Sequence, residues 1–494
     1  MALLKLRLSV LKLVGRFPKT EVLEAKDKAL REEFEEFNRF GESDELEHFL
    51  DLQEFAKSGE PGRSKEELKH LLYSGSPEHT QEQEFIKLSK SQSLRNYFKV
   101  KGSEKLELFR SVELSGKPTR LKELQQMVES ADYQSNRKQH KKDNTSEYQN
   151  ELEYKMLKSD FDVKKYFKLK KWKPMIDFFE IENSDSLARY NELKSYIESE
   201  EFKGRKQYLQ SKDKFEKSEA YQKLQEYNKL AKSEKIIWYF SSQKSTKFDE
   251  IKRWDLTFHD DFTTGKLDSK KWITRYFWGD ALLNKSYSLA ADQHWYTDGK
   301  NFELNNSILK VITKKEPAEG LAWDFKYGFV PKSFSYTSGL ISTGQAFRQK
   351  FGRFEAKIRM NGNQGVYHAF WLVGDKTIPE IDILRQKGES SSSFQGAYFW
   401  MNGESSKPKK TTTNLGGFNL KTEFFIFSID WEENRIVWKI NGIPFKETAN
   451  DLPNIPLYIV LSSGVTSQAK DEQLPSTMEI DWVRCWQENK PAKA

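Results

Sequence analysis

A single cysteine, Cys485, stands in the 494 residues. No internal disulfide and no cysteine-based zinc site can therefore form. Proline is sparse as well, with 14 in the chain, and few of them fall between residues 17 and 245. No apolar run is long enough to cross a bilayer. The opening residues, MALLKLRLSVLKLVGRF, are apolar but broken by Lys5, Arg7 and Lys12. They lack the unbroken apolar core of a secretory signal and read as a first helix, or as an amphipathic helix lying on a surface. A strong charge imbalance is missing too, since the net charge is only +7 on a heavily charged chain. The basic run Arg137–Lys142 reads as a solvated loop, and no nucleic-acid partner is expected. No metal-ligand spacing stands out anywhere.

Aromatic residues, by contrast, are plentiful: 14% of the chain, including 13 Trp. Such a content suits large packed sheets or the stacking of sugar rings. The length exceeds what one compact core accommodates, so two or more domains are expected. The two halves follow different patterns. Residues 17–245 are Lys/Glu-rich, with apolar residues every three or four positions, the helical period. A loose repeat recurs: Glu, an aromatic, then apolar at +4, Ser at +7, apolar at +10 and bulky residues at +13 and +14. It runs from Glu36-Phe37 to Phe49-Leu50 and from Glu84-Phe85 to Tyr97-Phe98, then from Glu153-Tyr154 to Tyr166-Phe167 and from Glu226-Tyr227 to Tyr239-Phe240. Irregularly spaced repeats of helical period predict an all-α array in which each unit covers its neighbour's apolar stripe, with the serines at helix N-caps or close crossings. A stalk or spacer is the plainer role for it; a scaffold that binds a protein partner is the other.

From about residue 246 the helical period gives way to alternation, as in Phe354–Met360, and to hairpin signals such as Asn441-Gly442. A β-sandwich over 246–488 is predicted, followed by a tail at 489–494, with a basic apolar segment at 1–16 ahead of the helical region. Within it stands Pro379-Glu380-Ile381-Asp382-Ile383-Leu384-Arg385. Glu380 and Asp382 are two residues apart and share one face of a strand. Close carboxyl groups push their pKa values apart. On a straight strand the next residue on that face is Leu384; with a bulge it is Arg385.

Several stretches here resemble glycoside hydrolase family 16. They are Phe258–Phe262 with Leu267-Asp268 and Trp272, Thr337–Ser342, Phe351–Ala356, Ala369–Leu372 and Met478–Arg484, in the family's order across about residues 255–488. The resemblance implies a concanavalin A-like jelly roll whose concave face holds a β-glycan, and retaining cleavage of β-1,3- or β-1,4-linked glucans or galactans. In the family's pattern Glu-x-Asp-x-(x)-Glu, Glu380 corresponds to the nucleophile and Asp382 to the acid that supports it. The third position, the general acid/base, is Arg385. A guanidinium keeps its protons at any useful pH and cannot exchange one with a leaving group. Two further departures accompany it: Phe399 stands where the family's Gly-x-x-His pattern places His, and the stretch before the family's Tyr-Thr reads Asp292–Thr297.

The resemblance implies substrate contacts from Trp371, His368, Trp295 and Trp400, with Trp323 a weaker candidate. No cofactor is required; a structural calcium near Asp481 occurs in some relatives. The partner expected is a polysaccharide. Three functions follow: a β-glycan-recognising module with weak or lost hydrolysis, an active retaining endo-β-glycosidase borrowing an acid such as Glu389 or Asp375 to cleave β-glucan or sulfated galactan, and a helical interaction protein with a vestigial sandwich. An extracellular or cell-envelope location goes with the family, although no export signal is recognisable. The Ser390–Ser393 and Lys407–Thr413 stretches read as loops.

Overall fold

The computed structural model describes residues 2–278, 284–388, 390–401, 407–467 and 469–489. The chain divides into two compact units, one formed by residues 44–237 and the other by residues 1–43 together with 238–494. This partition differs from the boundaries drawn at 17 and 245. Helix Thr20–Gly41 and the end of helix Glu234–Lys244 from residue 238 on belong by packing with the sandwich.

The 44–237 unit is made of short helices in two series, an outgoing and a returning one. Helix Asp44–Lys57 packs on Glu219–Leu230, Pro77–Ser89 on Asp185–Glu198, Gln92–Val100 on Lys173–Ile181, Glu104–Leu114 on Phe161–Lys170, and Lys117–Glu129 on Ser146–Ser159. Helix Ala131–Lys142 lies at the turn-round. Aromatic pairs mark the rungs: Phe49 with Tyr227 at 5.6 Å between centroids, Phe85 with Tyr190 at 5.2 Å, Tyr97 with Phe178 at 5.0 Å, and Phe109 with Tyr166 at 4.5 Å. The outgoing members Phe85, Tyr97 and Phe109 and the returning members Tyr166, Phe178 and Tyr190 each recur every twelve residues. Much of the apparently irregular repeat therefore has a regular period. Serine is the punctuation: the side chains of Ser91, Ser103, Ser130, Ser184, Ser199 and Ser218 each accept from a backbone N–H three residues on. Asp160 serves the helix at Phe161 in the same way. Each cap satisfies a donor that the first helical turn leaves open.

The other unit is a two-sheet sandwich. Among the described residues seventeen strands are numbered in chain order. The larger sheet contains β1 (Trp254–Asp260), β2 (Ser288–Leu289), β3 (His294–Tyr296), β4 (Phe302–Asn305), β5 (Ile308–Asp324), β6 (Gly328–Ser338), β8 (Gly352–Met360), β13 (Phe425–Trp431), β14 (Ile436–Ile440), β15 (Ile443–Thr448) and β17 (Ser476–Glu488). The smaller sheet contains β7 (Leu340–Ser342), β9 (Val366–Val373), β10 (Glu380–Lys387), β11 (Phe394–Trp400), β12 (Lys409–Leu415) and β16 (Tyr458–Val465), in the order β12-β11-β10-β9-β16-β7. Most of the Lys407–Thr413 stretch, read as a loop, is thus an edge strand, paired residue for residue with β11.

The core lies between the sheets, where Phe370, Leu372, Ile381, Ile383, Leu384 and Tyr398 meet Phe354, Ile358, Phe427, Trp438 and Ile480. Leu8 of helix Ala2–Leu13 is buried in the same cluster. On the larger sheet's outer side, helix Thr20–Gly41 is pinned by Glu24, which accepts from the Trp482 indole and pairs with Lys357, both at 2.8 Å. No helix among the described residues is long and apolar enough to cross a membrane.

Candidate functional site

The site is built on β10, and a bulge decides its composition. Against β9, Asp382 lies opposite Trp371 but Leu384 lies opposite Phe370, so Ile383 is the extra residue. Ile383 and Leu384 both enter the core. The inserted residue restores Arg385 to the face that carries Glu380 and Asp382. On a straight strand the arginine would enter the core and Leu384 would face the cleft. The Trp438 indole holds the bulge from the core side by donating to the Asp382 carbonyl at 2.8 Å.

Arg385 closes on both acids. Nε donates to Oδ2 of Asp382 at 2.7 Å, and Nη2 donates to Oδ1 of Asp382 at 2.8 Å and to Oε1 of Glu380 at 3.0 Å. Three guanidinium donors are committed to two carboxyl groups, in the fork geometry that arginine favours. The Asp382 side chain is fully buried; those of Glu380 and Arg385 are about a fifth exposed, at 22% and 21%. Burial, followed by the charge of Asp382, raises the Glu380 carboxyl above its ordinary range against the opposing pull of Arg385. Burial would lower the Arg385 guanidinium, but Asp382 and Glu380 more than offset it. The guanidinium also lies 5.4 Å from the ring centre of Tyr367 and 5.9 Å from that of Trp371.

The other candidates scatter. Trp371 shares the cleft face, but it is 7% exposed and its indole donates to Ser462 at 3.1 Å. His368, expected to face the groove, projects to the opposite side of β9. It is fully buried there among Ser463, Ser476 and the Asn361 carbonyl, and burial lowers its pKa to about 4. Trp400 likewise points into the core, stacked on Tyr398 and donating to Asp451 at 2.9 Å. Trp295 points away from its neighbour Tyr296 and presses on Gly320, where an added Cβ would meet the indole at 2.4 Å. Trp323 packs edge-on against Phe329. For His368, Trp400 and Trp295 the cause is shared: alternation sends neighbouring strand residues to opposite faces. Phe399, on β11, shares that face and lies directly opposite Glu380.

Of the acids considered as substitutes, Asp375 is exposed and paired with Arg348 at 2.6 Å, and Glu389 lies outside the described residues. Asp481, which in some relatives would help hold a structural calcium, is here paired with Lys357 at 2.6 Å. Among the described residues no three His, Cys, Asp or Glu side chains cluster to hold a metal.

Residues that sequence reasoning passed over include Tyr367, whose hydroxyl lies 2.8 Å from that of Tyr296, and the tyrosines Tyr276, Tyr287 and Tyr458 gathered around Trp371. Strand parity was the available signal for Tyr367 and Tyr458. Tyr276 and Tyr287 come from outside the sheet and left none.

Comparison with known proteins finds similarity over this half of the chain. Residues 289–484 match the family described as glycosyl hydrolases family 16. The endo-1,3-1,4-beta-glycanase ExsH of Rhizobium meliloti (strain 1021) is 25% identical over 249 residues, covering 47% of this chain and 51% of that protein. Glucan endo-1,3-beta-glucosidase A1 of Niallia circulans is 23% identical over 268 residues, covering 47% of this chain and 38% of that protein. The chain spans about half the length, or less, of these curated relatives. Among solved structures, the catalytic domain of an endo-1,3-beta-glucanase (laminarinase) from Thermotoga petrophila RKU-1 aligns with a TM-score of 0.40 at 22% identity, covering 48% of this chain and all of that one.

Proposed function

We propose that this domain, whose residues 289–484 match the family described as glycosyl hydrolases family 16, recognises a β-glycan on the concave side of its smaller sheet and hydrolyses it weakly or not at all. The observation that carries the reading is the clamp of Arg385 on Glu380 and Asp382. Retaining hydrolysis needs an ionised nucleophile and, about 5 Å away, an acid that protonates the leaving oxygen. Arg385 occupies the acid's place on the strand and cannot release and retrieve a proton. Glu380, held above the usual carboxyl range, favours its proton and is a poorer nucleophile for it. Losing a general acid alone costs about 10²–10⁴-fold in rate. The relatives' names, an endo-1,3-1,4-beta-glycanase and a glucan endo-1,3-beta-glucosidase, support a β-glucan as the first ligand to test.

The test is a reducing-end assay over β-glucans and sulfated galactans, run beside glycan binding. The parent is expected to bind without measurable turnover, and Arg385→Glu to gain turnover on the glycan that binds. Robust parental hydrolysis that Glu380→Gln abolishes would overturn the reading and point to another acid. Absence of binding to every glycan would favour the helical unit as the working part and its partner as a protein.

A further inference from the structure

Directly opposed residues in antiparallel strands project to the same side, so the concave face can be followed row by row. One row runs Lys410, Phe399, Glu380, Val373, Tyr458. The next runs Thr412, Ala397, Asp382, Trp371, Val460, and the third Asn414, Gln395, Arg385, Ala369, Ser462. Burial splits these rows in two. Toward β12, Lys410, Thr412 and Asn414 are exposed and Phe399, Glu380 and Arg385 are partly so, with Ala397, Asp382 and Gln395 buried among them. On β9 and β16 every member is 7% exposed or less.

The covering comes from the chain itself. Tyr276, Tyr287 and Tyr296 form one buried cluster with Trp371, Val373, Tyr458 and Val460, and Phe277 and Trp278 pack against it. The segment 276–278 is fastened in place. Tyr276 and Trp278 stack at 5.5 Å, and the Trp278 indole donates to the Asp375 carbonyl at 2.9 Å. Arg348 binds the Asp375 carboxylate and lies over the rings of Phe277 at 4.5 Å and Tyr458 at 5.2 Å. Gly344 is required beneath it, because a Cβ there would meet Phe277 at 2.7 Å.

We infer that the cleft is one-sided: it takes the end of a glycan, or a di- or trisaccharide, over β10–β12, while the Tyr276–Trp278 strap fills the sugar positions over β9 and β16. The inference rests on the glycan-binding reading above. A chain laid across β12 toward β9 meets packed aromatic rings once it passes the Arg385 clamp. The open span from β12 to β10 is two strand spacings, about 10 Å. Within it Phe399 offers a ring face for stacking, and Lys410 and Asn414 offer donors to hydroxyl groups. An internal stretch of polymer, running on in both directions, has no room on the sheet.

Calorimetric titration of the full chain with β-1,3- and β-1,4-linked glucose oligomers and with sulfated galactan oligomers, dimer to hexamer, tests this. Affinity is expected to rise as far as the trimer and then stay within about twofold, a difference well under 1 kcal/mol. Phe399→Ala is expected to lower trimer affinity about tenfold, as loss of a stacking ring does. Trp278→Ala is expected to restore a gain from trimer to hexamer; Arg348→Ala, which loosens the strap without opening an apolar hole, is expected to do the same. A steady rise through the hexamer in the parent overturns the one-sided cleft, as does a flat profile in both strap variants. If no oligomer of either series binds, the glycan-binding reading itself falls, an outcome distinct from either of these.

Discussion

The helical unit and the sandwich solve the same problem, burial of apolar surface, by opposite means. The helical unit repeats one small device: a capped short helix with an aromatic residue that meets a partner from the returning series. Each rung depends on its nearest neighbours, so damage is expected to remain local. In the sandwich the decisive contacts are single and join distant segments. Arg385 faces both of its acids only because of one bulge, and Trp371 is sealed by tyrosines from far along the chain. A repeated design tolerates change, whereas a site made of unique contacts does not.

The largest effect is expected in the sandwich. Arg385→Ala leaves Asp382 buried beside Glu380 without its cation and should lower stability by about 3–5 kcal/mol in denaturant unfolding, with the whole sandwich affected. Adding Glu380→Gln and Asp382→Asn should recover most of the loss. On the helical side, Phe109→Ala removes a ring that is 4% exposed and should cost about 3 kcal/mol. Hydrogen exchange should then speed up around Phe109 and Tyr166 and stay unchanged at Phe49, which breaks the comparison if the whole unit loosens instead.

A pH effect sharpens the contrast within the sandwich. His368 is neutral and buried, with its pKa lowered to about 4, whereas the unfolded chain takes up that proton near 6.5. The unfolded state then binds more protons, so stability is retained above pH 6.5 and lost as pH falls toward 4, by about 3 kcal/mol. Glu380 acts in the opposite sense. Its folded pKa is raised, so its contribution is complete below the unfolded value and declines as pH rises through the folded one. His368→Gln should flatten the acid limb of stability against pH, and Glu380→Gln the limb above it. The smallest effect is expected at a cap: Ser103→Ala should cost about 1 kcal/mol, seen only in the exchange of the helix it starts.

Much of the architecture was legible from local pattern. The helical period, the serine caps, the hairpin at Asn441-Gly442 and the strand pair Glu380/Asp382 all rest on chemistry within a few residues. The twelve-residue period was present in the chain but obscured, because only the opposing aromatic partner shows which of several apolar positions forms the rung. His368, Trp295 and Trp400 were misplaced for a related reason. Each lies one residue from a position on the opposite face, and composition does not count parity.

What the sequence determined by itself is the chemistry available at the site: two carboxyl groups at strand spacing, and a guanidinium, rather than a third acid, next in line. Whether that guanidinium would meet the acids was left to the fold, because a strand can shift its face by one residue wherever the packing accepts a bulge. Trp438 and the core around Ile383 and Leu384 accept it. The covering of Trp371 was equally beyond reach, since it depends on side chains brought from separate stretches of chain, and only tertiary packing sets which of them share a surface.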